Sequence, residues 1–168
     1  MTEKIDNIIN KEIINWQKFG DLCNGLALKI LKDYQPDMVI GIVKAGVFPG
    51  AVIASLFRKD FYTIKLSRRH DDKIIHARPI LFVPITDSVY GKKVLLVDWI
   101  TKTGETLRLA KEEVENKQAS EVRTSTLFMK PDGFKPDWFM HKSDARIVCP
   151  WNKYVIEDGK LVPHPEYG

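Results

Sequence analysis

Val94-Leu95-Leu96-Val97-Asp98-Trp99-Ile100-Thr101-Lys102-Thr103-Gly104-Glu105-Thr106 is the stretch that decides the fold. Four apolar residues without alternation are expected of a strand covered on both faces, as in a parallel sheet. An acid stands at the strand's end, then a loop rich in threonine and glycine. Leu107, Ala110 and Val114 then fall on one face of a helix from about 105 to 117. Such a strand, loop and helix form an anion cup. N–H groups at the helix N-terminus face outward, and Gly104 lets the backbone approach a ligand closely. Thr101, Thr103 and Thr106 add hydroxyl donors, and Asp98 can accept hydrogen bonds from ligand hydroxyls. Threonines also cap helices for purely structural reasons. The functional reading therefore rests on the buried strand and the acid at this spacing, not on Thr-x-Gly-x-Thr alone.

Working outward, Met38-Val39-Ile40-Gly41-Ile42-Val43 is a second short apolar run of the buried-strand kind. A glycine-containing turn, Lys44-Ala45-Gly46-Val47-Phe48-Pro49-Gly50, follows it, and Ala51 to Phe57 reads as a short helix. Phe61 to Leu66 alternates like a strand, and Ser67 to Lys73 is polar without periodicity and reads as a mobile loop. Ile80 to Pro84 predicts a strand that Pro84 limits to an edge or an end. Val122 to Met129 predicts a further strand, and Asp158-Gly159 a hairpin turn. Ahead of them, residues 12 to 33 place Ile13, Ile14, Trp16, Phe19, Leu22, Leu26, Ile30 and Leu31 at helical spacing, and Pro36 ends the helix. Strands alternating with helices define an α/β protein with a central, mostly parallel sheet flanked by helices. Ligands of such sheets bind beyond the carboxyl ends of the strands, where the loops after Val43 and Val97 lie.

The chain of 168 residues carries 44% hydrophobic and 29% charged residues, an ordinary globular balance that argues against disorder, collagen or a coiled coil. A net charge of +4 fits a phosphate-bearing ligand, a weak nucleic-acid surface, or solvated lysines. Cys23 and Cys149 belong to no CxxC pair and read as buried free thiols rather than a zinc site. No apolar run reaches the roughly 18 residues of a membrane span. Met1 to Asp6 lacks the order of a signal peptide, so a cytoplasmic protein is expected. With no linker or repeat, residues 1–168 are expected to form one domain.

The run from Val94 to Thr106 resembles the phosphoribosyl-pyrophosphate (PRPP) motif of type I phosphoribosyltransferases, a hydrophobic strand, two acids and a loop ending Thr-Gly-x-Thr. Val39 to Gly50 resembles the family's first active-site loop, with Lys44 where an Arg is usual. Ser67 to Lys73 sits where the family has its catalytic lid, taken as about 67–78. Leu127-Phe128-Met129-Lys130-Pro131 resembles the segment of the purine enzymes whose Lys reads the 6-oxo group. Ile147-Val148-Cys149-Pro150-Trp151 resembles the C-terminal hood of the short hypoxanthine, guanine and xanthine enzymes, taken as about 131–168.

The resemblance implies a type I phosphoribosyltransferase fold with a small hood, and transfer of the phosphoribosyl group from PRPP to a nitrogenous base with release of pyrophosphate. The transition state has oxocarbenium character, so it calls for magnesium and for cations near the leaving group. It assigns the 5′-phosphate to Thr101, Lys102, Thr103, Gly104, Glu105 and Thr106, and pyrophosphate to Lys44, Ala45 and Gly46. Arg68 and Arg69 of the lid join Asp98 and Lys102 as catalytic candidates. Lys130, Arg146, Ile147 and Trp151 are the base-binding candidates. Asp98 would hold ribose hydroxyls and a magnesium-bound water. A homodimer is usual for the proteins resembled.

Three positions depart from the family pattern. Trp99 replaces the second acid, Lys102 stands where the purine branch has a proton-exchanging Asp, and Arg146 replaces a stacking aromatic ring. Three readings follow: a working transferase on an oxygen-rich or anionic base such as a 6-oxopurine; a degenerate member that binds PRPP or a nucleotide as a regulator; and a nucleic-acid binder using Lys65, Arg68, Arg69, Lys73 and Arg78. The last lacks the interleaved aromatics that stack on bases. Near the lid, His70 and His76 read as solvated, while Trp138 and Phe139 are either a purine wall or core.

Overall fold

The computed structural model describes residues 10–70 and 73–167; Met1 to Asp6, and Asp71 and Asp72 of the stretch expected as a lid, fall outside them. In chain order the elements are β1 (Lys11–Ile13), α1 (Trp16–Leu31), β2 (Met38–Val43), α2 (Val47–Phe57), β3 (Phe61–Ser67), β4 (Arg69–His70), β5 (Lys73–Ile74), β6 (Ile80–Val83), β7 (Lys93–Thr101), α3 (Glu105–Asn116), β8 (Glu121–Met129), β9 (Trp138–Lys142), β10 (Arg146–Val148), β11 (Tyr154–Glu157) and β12 (Lys160–Pro163). The chain divides into two compact units, residues 22–143 and residues 1–21 with 144–168.

The larger unit holds a six-stranded sheet in the order β6-β3-β2-β7-β8-β9. β2, β3, β7, β8 and β9 are mutually parallel, and β6 is the antiparallel edge that Pro84 predicts. β2 and β7 read as unbroken apolar runs because both of their faces are covered. Met38, Ile40, Ile42, Val94 and Leu96 join Leu107, Ala110 and Val114 of α3 in one core cluster. On the opposite face Gly41 lies beneath α2, where a side-chain carbon at Gly50 would come within 3.2 Å of the Gly41 Cα. Each fully buried aliphatic side chain in this core contributes about 1.5–3 kcal/mol relative to exposure. Tyr34 donates its hydroxyl to the Val94 carbonyl at 3.0 Å, and its ring packs 5.5 Å from that of Trp138. Trp138 is thus core rather than a purine wall. Phe139 lies under the Lys29 ammonium, with its carbonyl accepting from it at 2.7 Å.

The smaller unit is built on a parallel pair, β1 with β10, in the register Lys11↔Arg146 to Ile13↔Val148. Residues 11–13 are therefore a strand, where the spacing predicts helix. The helix starts later because the Asn15 side chain accepts the Lys18 amide at 2.8 Å and caps it. β11 and β12 form the predicted hairpin, with Asp158 and Gly159 both at positive φ (48° and 73°), as a two-residue turn of this hand requires. Both cysteines are buried free thiols, each pushed up to about 12 by burial. Among the described residues no helix is long and apolar enough to cross a membrane.

Candidate active site

The carboxyl ends of β2 and β7 lie side by side, in the register Gly41↔Val97. From β2 the chain passes to β3 on one flank, and β7 lies on the other, so the strand order reverses at this pair. A crevice at such a reversal is where open α/β sheets hold ligands. The Lys44-Ala45-Gly46 turn is pressed onto β7: a side-chain carbon at Gly46 would lie 2.6 Å from the carbonyl oxygens of both Ile42 and Val97. Only glycine permits that contact. The Gly46 amide donates back to Ile42 at 2.9 Å, and α2 begins at once. The helix starts at Val47, earlier than predicted, because Pro49 sits in its first turn, where no amide donor is needed. The Val43–Lys44 peptide is cis. Lys44 itself is exposed.

The second loop is held from one side. The Thr101 carbonyl accepts from the Lys130 amide at 3.0 Å, and the Lys102 carbonyl accepts from the Phe134 amide at 2.8 Å. The Thr103 carbonyl accepts from the Arg108 guanidinium at 3.5 Å. Gly104 adopts φ 79° and caps α3 without any side-chain bond, and a side chain there would overlap Phe134. With three carbonyls tied, the donors left to a ligand are the first amides of α3 and nearby hydroxyls, an anion-binding arrangement. The Thr103 hydroxyl also accepts weakly from the Glu105 amide, at 3.5 Å. The Thr101 hydroxyl is buried and has no hydrogen-bond partner among the described residues. Buried orphan hydroxyls are rare, and a ligand is one physical explanation for this one.

Asp98 ends the buried part of β7. Its carboxyl accepts the Trp99 amide at 2.7 Å, which favours the charged form, but burial outweighs that bond and raises the carboxyl to about 7. Trp99 directs its ring toward Phe128, 6.5 Å away, and adds no carboxylate. Lys102 is exposed, and it is through its backbone carbonyl that it helps to hold the loop. Lys44, Ala45, Gly46, Asp98, Thr101 to Thr106 and Lys130 thus share one end of the sheet.

Arg68 and Arg69 follow the carboxyl end of β3, which is parallel to β2. The polar stretch read as a mobile loop contains a short ladder, β4 with β5, in which Arg69 pairs with Ile74. Arg68 accepts through its carbonyl from the Ile75 and His76 amides, and its guanidinium reaches the His76 carbonyl at 3.4 Å. Arg68 is thereby bonded within its own hairpin. Arg146, Ile147 and Trp151 belong to the smaller unit. There the Arg146 guanidinium donates to the Glu166 carbonyl at 2.6 Å, Ile147 is buried, and Trp151 packs against Phe19 (5.1 Å) and Trp16 (6.3 Å). The segment expected as a hood from about 131 divides: β9 completes the main sheet, and residues from 144 join 1–21. Gly133, Phe134 and Arg108 are loop-bracing residues absent from the sequence-based candidates, although Pro131-Asp132-Gly133 is a turn signature beside Lys130.

A mostly parallel six-stranded sheet whose order reverses between β2 and β7, flanked by helices, is an α/β domain of the type I phosphoribosyltransferase fold. The chain belongs to the phosphoribosyl transferase domain family, whose sequence pattern matches residues 10–156. It is 29% identical over 149 residues to a hypoxanthine-guanine phosphoribosyltransferase of Lactococcus lactis subsp. lactis (strain IL1403), covering 82% of this chain and 80% of that one. Xanthine phosphoribosyltransferase 1 of Saccharomyces cerevisiae (strain ATCC 204508 / S288c) is 29% identical over 131 residues, 66% of this chain and 63% of that protein. The crystal structure of a purine phosphoribosyltransferase from Pyrococcus horikoshii Ot3 superimposes with a TM-score of 0.76 at 26% identity, covering 89% of this chain and 99% of that one.

Proposed function

We infer that this protein transfers the phosphoribosyl group of PRPP to a 6-oxopurine or a related oxygen-rich base and releases pyrophosphate. The observation that carries this reading is the Thr101–Thr106 loop, braced through its carbonyls with its donor side left to an anion, next to the Gly46 turn at the strand-order reversal. The relatives' purine specificity supports the choice of base.

In this reading the first amides of α3 and the Thr101 and Thr106 hydroxyls hold the 5′-phosphate. Holding it fixes the ribose against the crevice and lowers the entropy cost of bringing base and sugar together. Asp98 accepts from ribose hydroxyls; those donors favour its ionised form and oppose the desolvation that raises it. Lys44 offers positive charge where the leaving pyrophosphate accumulates negative charge, with Arg68 and Arg69 as further cations on the lid hairpin. Lys130 is assigned to the 6-oxo group of the base. Magnesium keeps several waters and takes few protein ligands, so a single acid beside substrate oxygens fits it. Asp98 is the residue to hold magnesium through water, and the bound ion would neutralise charge on pyrophosphate.

A second reading is favoured by Trp99 and Lys102, which remove an acid and a proton acceptor from the site: a regulator that binds PRPP or a nucleotide without turnover. The two separate in one assay. With PRPP, magnesium and a panel of purine and pyrimidine bases, pyrophosphate release identifies the transferase. Binding of PRPP or nucleotide with no release from any base identifies the regulator.

A further inference from the structure

We propose that Phe134 is a positioning residue for the phosphate loop, holding Thr101–Thr106 in the shape that receives the 5′-phosphate of PRPP. The assignment rests on the PRPP-binding reading above. Phe134 touches the loop in two ways. Its amide donates to the Lys102 carbonyl at 2.8 Å, and its side chain occupies the space over Gly104 that a β-carbon there would need. Gly104 is the left-handed residue, φ 79°, whose peptide orientation aims the loop into the first turn of α3. A glycine at that conformation is the most freely rotating point of the loop. The phenyl group removes the freedom by filling the space beside it.

Two neighbours support the same function. The Arg108 guanidinium lies 5.9 Å from the Phe134 ring centroid and reaches the Thr103 carbonyl at 3.5 Å, so ring and loop share one cation. At the other end of the turn, the Lys130 amide donates to the Thr101 carbonyl at 3.0 Å, and a side chain at Gly133 would collide with the Lys102 carbonyl at 2.6 Å. The 130–134 turn is therefore docked on the loop at both ends. Because its backbone bonds survive a side-chain change, truncating Phe134 loosens Gly104 while leaving the turn in place. Phe134 holds the loop through the Lys102 carbonyl and the space beside Gly104, so the role assigned to it is on loop geometry.

The test compares wild type, Phe134→Ala, Phe134→Leu and Phe134→Tyr in steady-state pyrophosphate release, with PRPP and base varied separately, and in calorimetric PRPP binding. Phe134→Ala should raise the KM and Kd for PRPP by about tenfold or more while the KM for the base changes by less than about threefold. Phe134→Tyr, which keeps the ring, should restore wild-type values. Phe134→Leu, which keeps bulk but not the flat ring, should fall between, and it carries the same comparison should Phe134→Ala fail to fold. Unchanged PRPP constants in Phe134→Ala, or a matching rise for PRPP and base, overturns the positioning role while leaving the transferase reading intact. Wild type that binds PRPP without turnover overturns the transferase reading, and the calorimetric comparison still decides Phe134. Wild type that does neither overturns both.

Discussion

Replacing Asp98 by asparagine should stabilise the fold at pH 8 and leave it almost unchanged at pH 4. The carboxyl titrates near 7 in the fold against an ordinary value of 3.8, and the cause is burial at the end of β7. The folded protein therefore holds a proton that the unfolded chain releases between those two pH values. A group raised in this way contributes stability below its unfolded pKa and loses it as pH climbs through the folded one. The wild-type fold should lose about 4 kcal/mol from this site between pH 3 and pH 8, at roughly 1.4 kcal/mol per pH unit in the window. The asparagine of the variant keeps an oxygen to accept the Trp99 amide, so that hydrogen bond is common to both proteins. Asp137 has its carboxyl lowered by bonds from Thr124 and Arg123 that offset its burial, so its stabilisation is lost as pH falls; it is shared by both proteins and cancels in the difference. Urea unfolding of the two proteins in magnesium-free buffer from pH 4 to 8 measures the effect. A difference that grows with pH in favour of the variant is expected, with about 4 kcal/mol as its ceiling. A difference independent of pH, or a variant weaker at pH 8, refutes the claim that burial holds the Asp98 proton.

Thr101→Val removes a buried hydroxyl that bonds to nothing among the described residues. Stability should stay within about 1 kcal/mol by denaturant melt, while PRPP affinity should fall about tenfold; a destabilised variant with normal affinity would contradict the role given to this hydroxyl. Gly46→Ala forces a methyl into the carbonyls of Ile42 and Val97, and its melting temperature should drop by roughly 3–10 °C. A melt within about 1 °C of wild type would mean that the turn is not held as described. Trp99→Asp combined with Lys102→Asp restores both acids of the family pattern and should raise 6-oxopurine transfer by about tenfold or more. An unchanged or lower rate counts against that alignment.

Much of the sheet was legible because burial on two faces leaves a plain trace. Val94 to Val97 and Met38 to Val43 carry unbroken apolar runs, and those two strands are the ones between which the order reverses. Pro84 likewise marks β6 as an edge. The misplacements have local causes. Ile13 and Ile14 continue the apolar spacing of α1, but the pairing of β1 with β10 is a contact over more than a hundred residues that no local period reports. The Asn15 cap is a readable signal that the spacing obscures. Pro49-Gly50 resembles a helix boundary because proline is judged by its interior cost, which does not apply in a first turn. β4 and β5 are two residues each, too short for any periodicity.

For the site, the acid, the Gly104 cap and the Gly46 turn were all in the sequence. What was not legible is which side of the Thr101–Thr106 loop is covered. That depends on Lys130 and Phe134 in the turn that follows β8, and on carbonyl directions that side-chain identities do not encode. Nor does the sequence alone tell that Arg68 turns its guanidinium to the His76 carbonyl.

The most direct test is to look for the new bond itself. The protein is incubated with PRPP, magnesium and, in separate reactions, hypoxanthine, guanine and xanthine, and the products are separated and weighed by mass spectrometry. Formation of a nucleoside 5′-monophosphate from at least one of these bases, stoichiometric with pyrophosphate and slowed about tenfold in Thr101→Val at low PRPP, is the predicted result. No nucleotide from any of them, in a protein that still binds PRPP, contradicts the transferase and leaves a binding protein in its place.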